Sequence, residues 1–222
     1  MFPDDYVHLG GDEVDFSCWQ SNPGIQAWMK NKGWSDYALL EQYYEQRLIP
    51  IVQETGKKYI VWQEIFDNGL KIDPHTIVDV WKNSPWQAEL AKVTAAGYGA
   101  ILSAPFYLNY IGDPYDGDND CHLEGDWCQY YLIEPLDFPG TAEQKARVLG
   151  GEGCMWGEYS SFANVVANTW PKAAVVAERL WSPASVRDVS EMAFRLAPFT
   201  CELLRRGIPA SVVTGPGYCD WQ

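Results

Sequence analysis

Residues 59–81 read YIVWQEIFDNGLKIDPHTIVDVW. Two short runs stand at its ends, YIVWQ (59–63) and IVDVW (77–81), both rich in β-branched and aromatic residues. Each reads as a strand, and GAILS (99–103) is a third of the same kind. Strands this continuously apolar belong to a sheet buried on both faces. Helical stretches lie between them. Tyr37–Glu54 is amphipathic and is stopped by Gly56; Trp86–Ala96 is ended by Gly97. Pro23–Lys32 forms a shorter helix, with Asn22 as cap and Pro23 at its first position. Tyr6–Gly10 opens the chain as a strand, and Ile111–Asp126, polar and rich in Gly and Asp, reads as a long loop. Thr141–Leu149 is expected as a helix, Gly151–Trp156 as a strand, and Pro171–Leu180 and Val189–Arg206 as closing helices. Strand and helix alternate, which predicts an α/β fold with a parallel sheet covered by helices. Five strands can be counted. A closed (β/α)8 TIM barrel needs eight, usually in about 250 residues. The pattern is therefore that of a partial barrel, roughly its last five strands and helices.

The 222 residues are 47% hydrophobic and 14% aromatic, a folding composition rather than a disordered one. A net charge of -14 argues against nucleic acid, whose phosphates would be repelled. No run approaches the ~18 apolar residues of a membrane span, and residues 1–5 have neither the basic nor the apolar region of a signal peptide. Eleven tryptophans exceed what a core of this size asks for, and large aromatics also wall sites for flat, partly apolar ligands such as sugar rings.

Six cysteines are present: Cys18, Cys121, Cys128, Cys154, Cys201 and Cys219. Cys121 and Cys128 share one polar loop, and Cys201 and Cys219 bracket the C-terminal helix and tail. Either pair could close in an oxidising compartment. No zinc spacing exists among the cysteines and histidines. Asp113, Asp116, Asp118 and Asp120 invite a calcium reading, but Cys121 stands where such a loop needs Gly and Trp127 where it needs Glu. Neither a metal nor a cofactor is expected.

In α/β folds the chemistry lies beyond the C-terminal strand ends. Asp12 and Glu13 follow the first strand, Trp62 and Trp81 end the second and third, Tyr107 and Asn109 follow the fourth, and Trp156 and Glu158 come at the end of the fifth. Carboxylates hydrogen-bond hydroxyls and indole faces stack on pyranose C–H groups, so this set suits a sugar. Adjacent carboxylates can divide their roles, one protonated while the other is charged, as glycosidic cleavage requires. Gly10 and Gly11 would permit the close backbone that aims them. The plainer alternative is that Asp12 and Glu13 only favour a following helix N-terminus. His8, inside the strand, reads as a structural, hydrogen-bonded residue.

HLGGDE (8–13) resembles the signature of the family 20 glycoside hydrolases, the β-N-acetylhexosaminidases. The likeness continues through Cys18-Trp19, Ser21-Asn22-Pro23, Val61-Trp62-Gln63-Glu64, Val80-Trp81-Lys82, Ser103-Ala104-Pro105-Phe106-Tyr107-Leu108, and Cys154-Met155-Trp156-Gly157-Glu158. It runs on into Ala177-Glu178-Arg179-Leu180-Trp181 and Cys201–Gly207, and is greatest to animal lysosomal hexosaminidase subunits. The resemblance implies substrate-assisted retention, in which the sugar's own 2-acetamido oxygen attacks the anomeric carbon. It implies Glu13 as general acid/base, Asp12 as partner of the acetamido N–H, and Tyr107 as donor to the acetamido oxygen. Trp62, Trp81 and Trp156 would form the sugar pocket and Glu158 would bind outer hydroxyls. It also implies a Cys201–Cys219 disulfide, a homo- or heterodimer, glycans or glycolipids ending in N-acetylhexosamine as substrates, and a lysosomal or secreted location.

Some of the family pattern has no counterpart. The upstream domain, the first three strands, a sugar-clamping arginine and the upstream partner of Cys18 are missing before Tyr6, so this chain alone is expected to be nearly inactive. Asn109 resembles the subunit type that accepts charged sugars, but Tyr110 replaces the basic residue expected beside it. A non-catalytic remnant that binds carbohydrate or assembles with related subunits is the alternative reading. An unrelated barrel isomerase would want a phosphate-gripping Gly-rich loop, and none is seen.

Overall fold

The computed structural model describes residues 2–82, 85–110, 127–213 and 219. The aspartates 113–120, Cys121 and His122 lie outside them. The strands are β1 (Tyr6–His8), β2 (Lys58–Trp62), β3 (Ile77–Val80), β4 (Gly99–Leu102) and β5 (Val148–Gly151). The helices are α1 (Ser17–Gln20), α2 (Pro23–Asn31), α3 (Ala38–Glu54), α4 (Gln63–Asp67), α5 (Trp86–Ala95), α6 (Trp127–Leu132), α7 (Ala142–Lys145), α8 (Val165–Thr169), α9 (Lys172–Trp181) and α10 (Val189–Arg205).

The strands form one sheet in chain order, β1-β2-β3-β4-β5. β1 and β2 run parallel with Val7 opposite Tyr59, and β2 and β3 run parallel with Ile60 opposite Ile77. Parallel neighbours need a crossover, and helices supply it between successive strands. All four residues of β3 are buried, as a central strand covered on both faces requires.

The described residues fall into two units by contact. One takes 2–81, 87–101 and 139–149, and the other takes 82, 85–86, 102–110, 127–138, 150–213 and 219. The first unit holds β1–β3, most of β4 and the start of β5. Its core includes Val61, Val78, Val80, Leu90 and Val93, all without solvent exposure. The core of the second unit includes Phe106, Cys128, Tyr131 and Val175.

Local chemistry explains the element starts. Asn22 Oδ1 accepts from the amides of Gly24 (2.9 Å) and Ile25 (3.3 Å), capping α2 with Pro23 at its first position. Thr141 and Gln144 form a reciprocal capping box at α7. Asp188 caps α10 through the amides of Ser190 and Glu191.

Two expectations are corrected, and one helix had no sequence signal. The fifth strand is Val148–Gly151 rather than 151–156, because its two apolar residues come before the glycines. A Cβ at Gly151 would lie 2.6 Å from the Leu102 carbonyl oxygen, so the strand closes on a residue without a side chain. α7 is accordingly shorter than 141–149. α6, WCQYYL, escaped notice because its aromatic residues lean toward strand. Burial of Trp127, Tyr130 and Tyr131 decides for helix.

Cys201 and Cys219 form a disulfide. Cys128 is also disulfide-bonded, and Cys18 is an exposed free thiol. No described helix is long and apolar enough to cross a membrane.

In the first unit, α3 buries two carboxyls, Glu41 and Glu45. Burial, and then the charge of Glu41, push Glu45 up to about 7. Burial, and then Glu64, raise Glu41. A raised carboxyl favours the folded state while protonated. Its stabilisation is whole below the ordinary value of 4.5 and lost as pH rises through about 7. Between pH 5 and 8 the chain should lose stability on the order of 3 kcal/mol from Glu45 alone. Urea unfolding at both pH values measures this. Glu45→Gln should flatten the difference, and an equal pH slope in wild type and variant would refute the assignment.

Candidate active site

The first unit places the acid pair in a turn that continues from β1 along β2. The amide of Leu9 donates to Ile60 O (2.9 Å), and that of Trp62 to Gly10 O (3.0 Å). Asp12 and Glu13 emerge just past this pairing, and both are exposed to solvent. Gly10 and Gly11 have φ of 76° and 96°, which side chains resist. A Cβ on Gly11 would also stand 2.4 Å from Ile65 Cγ1 and Cδ1. Glu13 has a φ of 40°, the one positive value at a non-glycine among the described residues. Such a conformation in a residue with a side chain costs on the order of 1–3 kcal/mol, and strain of this kind gathers at functional sites.

His8 Nδ1 accepts from the Gly10 amide at 3.0 Å, the structural hydrogen bond expected of it. Its ring lies 4.7 Å from Trp62, tilted by 55°. Trp62 in turn meets Trp81 edge-on, 6.2 Å between centroids and 71° between planes. Both indoles are half-buried, so neither is spent in the core. Trp81 Nε1 donates to Glu64 Oε2 (2.8 Å), and its amide donates to Gln63 Oε1 (3.1 Å). Thus Asp12 and Glu13 follow β1, Trp62 is the last residue of β2, and Trp81 follows β3, at the ends of three adjacent strands.

The second unit holds the remaining predicted residues. Residues 106–108 and Cys154 pair in parallel: Leu108 N donates to Cys154 O (2.7 Å) and Cys154 N to Phe106 O (2.9 Å). Tyr107 is buried, and its ring stacks on Tyr110 at 5.5 Å and 20°. Buried Asn109 donates through Nδ2 to Glu158 Oε2 at 3.1 Å. Trp156 is 42% exposed. This segment is held from behind: Tyr130 Oη donates to Tyr107 O (2.8 Å), and the buried Lys172 Nζ donates to Leu108 O (2.7 Å). Neither support was found by sequence reasoning, which weighed the strand ends alone. A lysine at the first position of a helix gave no sign of burial. Gln63 and Glu64 fall within the family-like run 61–64, but their contacts to Trp81 have no local sequence signal. No cluster able to hold a metal ion occurs among the described residues.

An in-order sheet crossed by helices defines an α/β protein, and its candidate acids and indoles stand at the strand ends, where such folds carry their sites. Residues 1–184 match the glycosyl hydrolase family 20 catalytic domain, and the chain belongs to that family. It is 52% identical over 226 residues to β-hexosaminidase subunit alpha of Bos taurus, covering 100% of this chain and 41% of that protein. It is 46% identical over 221 residues to subunit beta of Homo sapiens, covering 99% and 38%. The chain therefore spans about two-fifths of the length of these curated relatives. Among solved structures it resembles the Flavobacterium johnsoniae chitobiase, with 30% identity, a TM-score of 0.74, and 93% of this chain against 30% of that one. It also shares the fold of the Vibrio harveyi exo-β-N-acetylglucosaminidase, with 23% identity, a TM-score of 0.78, and 96% of this chain against 34% of that one.

Proposed function

We propose that the protein carrying this chain is an exo-acting β-N-acetylhexosaminidase that releases terminal GlcNAc or GalNAc from glycans or glycolipids. The five strands would be the last part of a (β/α)8 barrel. The carrying observation is the GGDE turn, where Glu13 is held at positive φ beside an indole-lined strand end. In this reading the substrate's acetamido oxygen attacks C1 as the C1–O bond breaks. Glu13 gives its proton to the departing oxygen, and Asp12 accepts the acetamido N–H as that nitrogen gains positive charge. Water then attacks C1 as the bond from C1 to the acetamido oxygen breaks, which regenerates the amide, and it returns a proton to Glu13, so configuration is retained and one water is consumed. Trp62 and Trp81 wall the sugar, and an apolar wall around the acetyl methyl selects acetylated sugars. By resemblance to the family, the second unit's own residues would take Tyr107 as donor to an acetamido oxygen, Trp156 as an aromatic wall, and Glu158 with Asn109 as hydroxyl binders. A homo- or heterodimer accords with relatives named as alpha and beta subunits. A lysosomal or secreted location accords with the disulfide and with buried carboxyls that favour low pH.

The test compares 4-nitrophenyl N-acetyl-β-D-glucosaminide with 4-nitrophenyl β-D-glucoside on the full-length protein. The acetamido sugar should turn over at least about 10³-fold faster, since only it carries the internal nucleophile. Comparable rates would end the substrate-assisted reading. Binding of N-acetylglucosamine without turnover of either would favour the carbohydrate-binding alternative.

A further inference from the structure

We propose that Gln63 and Glu64 are positioning residues that clamp Trp81, one by its main chain and one by its indole, so that the sugar-facing wall keeps a single rotamer. The proposal rests on Trp81 belonging to the sugar site described above.

An indole N–H is a donor only, and Trp81 is placed just past β3. Glu64 meets that donor at 2.8 Å. Glu64 is only 8% exposed, and Glu41, also buried, is a like-charged neighbour that interacts with it. Burying a carboxyl near another is costly. A residue serving only to start a short helix would not require it, whereas an acceptor for a buried-side indole does.

Gln63 is 4% exposed and holds the other end. Its Oε1 accepts from the Trp81 amide at 3.1 Å, and its Nε2 donates to Asp67 Oδ2 at 3.3 Å, one helical turn on. Asp67 also takes a hydrogen bond from Lys92. The carboxylate of Asp67 can only accept, so it obliges the amide group of Gln63 to turn its NH2 that way and its oxygen toward Trp81. Trp62, the residue before Gln63, closes the set by packing edge-on against Trp81. Three consecutive residues thus fix one ring: by contact, by main chain and by indole nitrogen.

The clamp is read by hydrogen exchange of the Trp81 indole proton in a 15N-labelled chain, its signal assigned by its loss in Trp81→Phe. Glu64→Leu should speed that exchange about tenfold or more, and Glu64→Gln, which keeps an acceptor, should restore most of the protection. Gln63→Met should instead speed exchange of the Trp81 main-chain amide, and it serves if Glu64→Leu fails to fold. On the full-length protein, Glu64→Leu should raise KM for 4-nitrophenyl N-acetyl-β-D-glucosaminide about tenfold while kcat changes less than about threefold, and Glu64→Gln should largely recover KM. A merely structural role would lower the active fraction, and hence kcat, without moving KM. Unchanged indole and amide exchange in both variants, or a fall in kcat alone, would overturn the clamp. If wild type and Glu13→Gln turn over an alkyl N-acetyl-β-glucosaminide alike, the hydrolytic reading fails instead, and the exchange measurement still decides the clamp.

Discussion

Glu13→Gln should lower kcat for an alkyl N-acetyl-β-glucosaminide by about 10²–10⁴-fold, the range that general acid/base catalysis supplies. The amide matches the carboxyl in size and can still accept hydrogen bonds, but it cannot deliver a proton to the leaving oxygen. The loss should be smaller on a 4-nitrophenyl glycoside, whose leaving group departs with little help. That graded response separates a lost acid from a damaged fold. A second variant makes the separation sharper. Glu13 stands at a φ of 40°, where glycine is unstrained. Glu13→Gly should therefore keep or raise stability while activity collapses. Equal activity in wild type and both variants would remove Glu13 from the chemistry.

Gly11→Ala is expected to destabilise the protein by about 2–6 kcal/mol, summing left-handed backbone strain and overpacking. Gly11 has a φ of 96°, and its missing side chain leaves the space that Ile65 fills at 2.4 Å. Ile65 is 1% exposed in α4 and cannot withdraw without disturbing Glu64, the neighbour that holds Trp81. Denaturant unfolding measures the loss. Gly11→Ala with Ile65→Ala should recover the packing part but not the backbone part. A single Gly11→Ala within about 0.5 kcal/mol of wild type would mean that the turn relaxes freely and that its geometry does not constrain the acid pair.

The sheet was legible because each strand is a local event. YIVWQ and IVDVW are short, β-branched and bounded by turn residues, and β2 and β3 fall within a residue of the runs so marked. The start of α2 was legible for the same reason, since Asn22 accepts from amides two and three residues away and Pro23 presets φ at the first helical position. The fifth strand was misplaced because Gly150, Gly151 and Gly153 have weak preferences, and pairing beside β4 settled what propensity could not. α6 was missed because its aromatic residues prefer strands in isolation and were overruled by burial.

The site divided along the same line. Chemistry-bearing residues stand out by type and order, so Asp12, Glu13, Trp62, Trp81, Tyr107, Asn109, Trp156 and Glu158 are candidates from the sequence alone. Their supports are not. Lys172 reaches back 64 residues to Leu108 O, and Gln63 reaches 18 residues to the Trp81 amide. Nothing local distinguishes such a side chain from a surface one.

Residue order alone was enough for the α/β class and for the cap at Asn22, and it singles out Asp12 and Glu13 by type and position, because each of these follows from interactions within a few positions of the chain. Folding in three dimensions was needed to hold Glu13 at a positive φ, to seat Ile65 in the gap left at Gly11, and to bury Glu64 against an indole. Those states depend on contacts between segments remote in the chain, whose energies no single stretch contains.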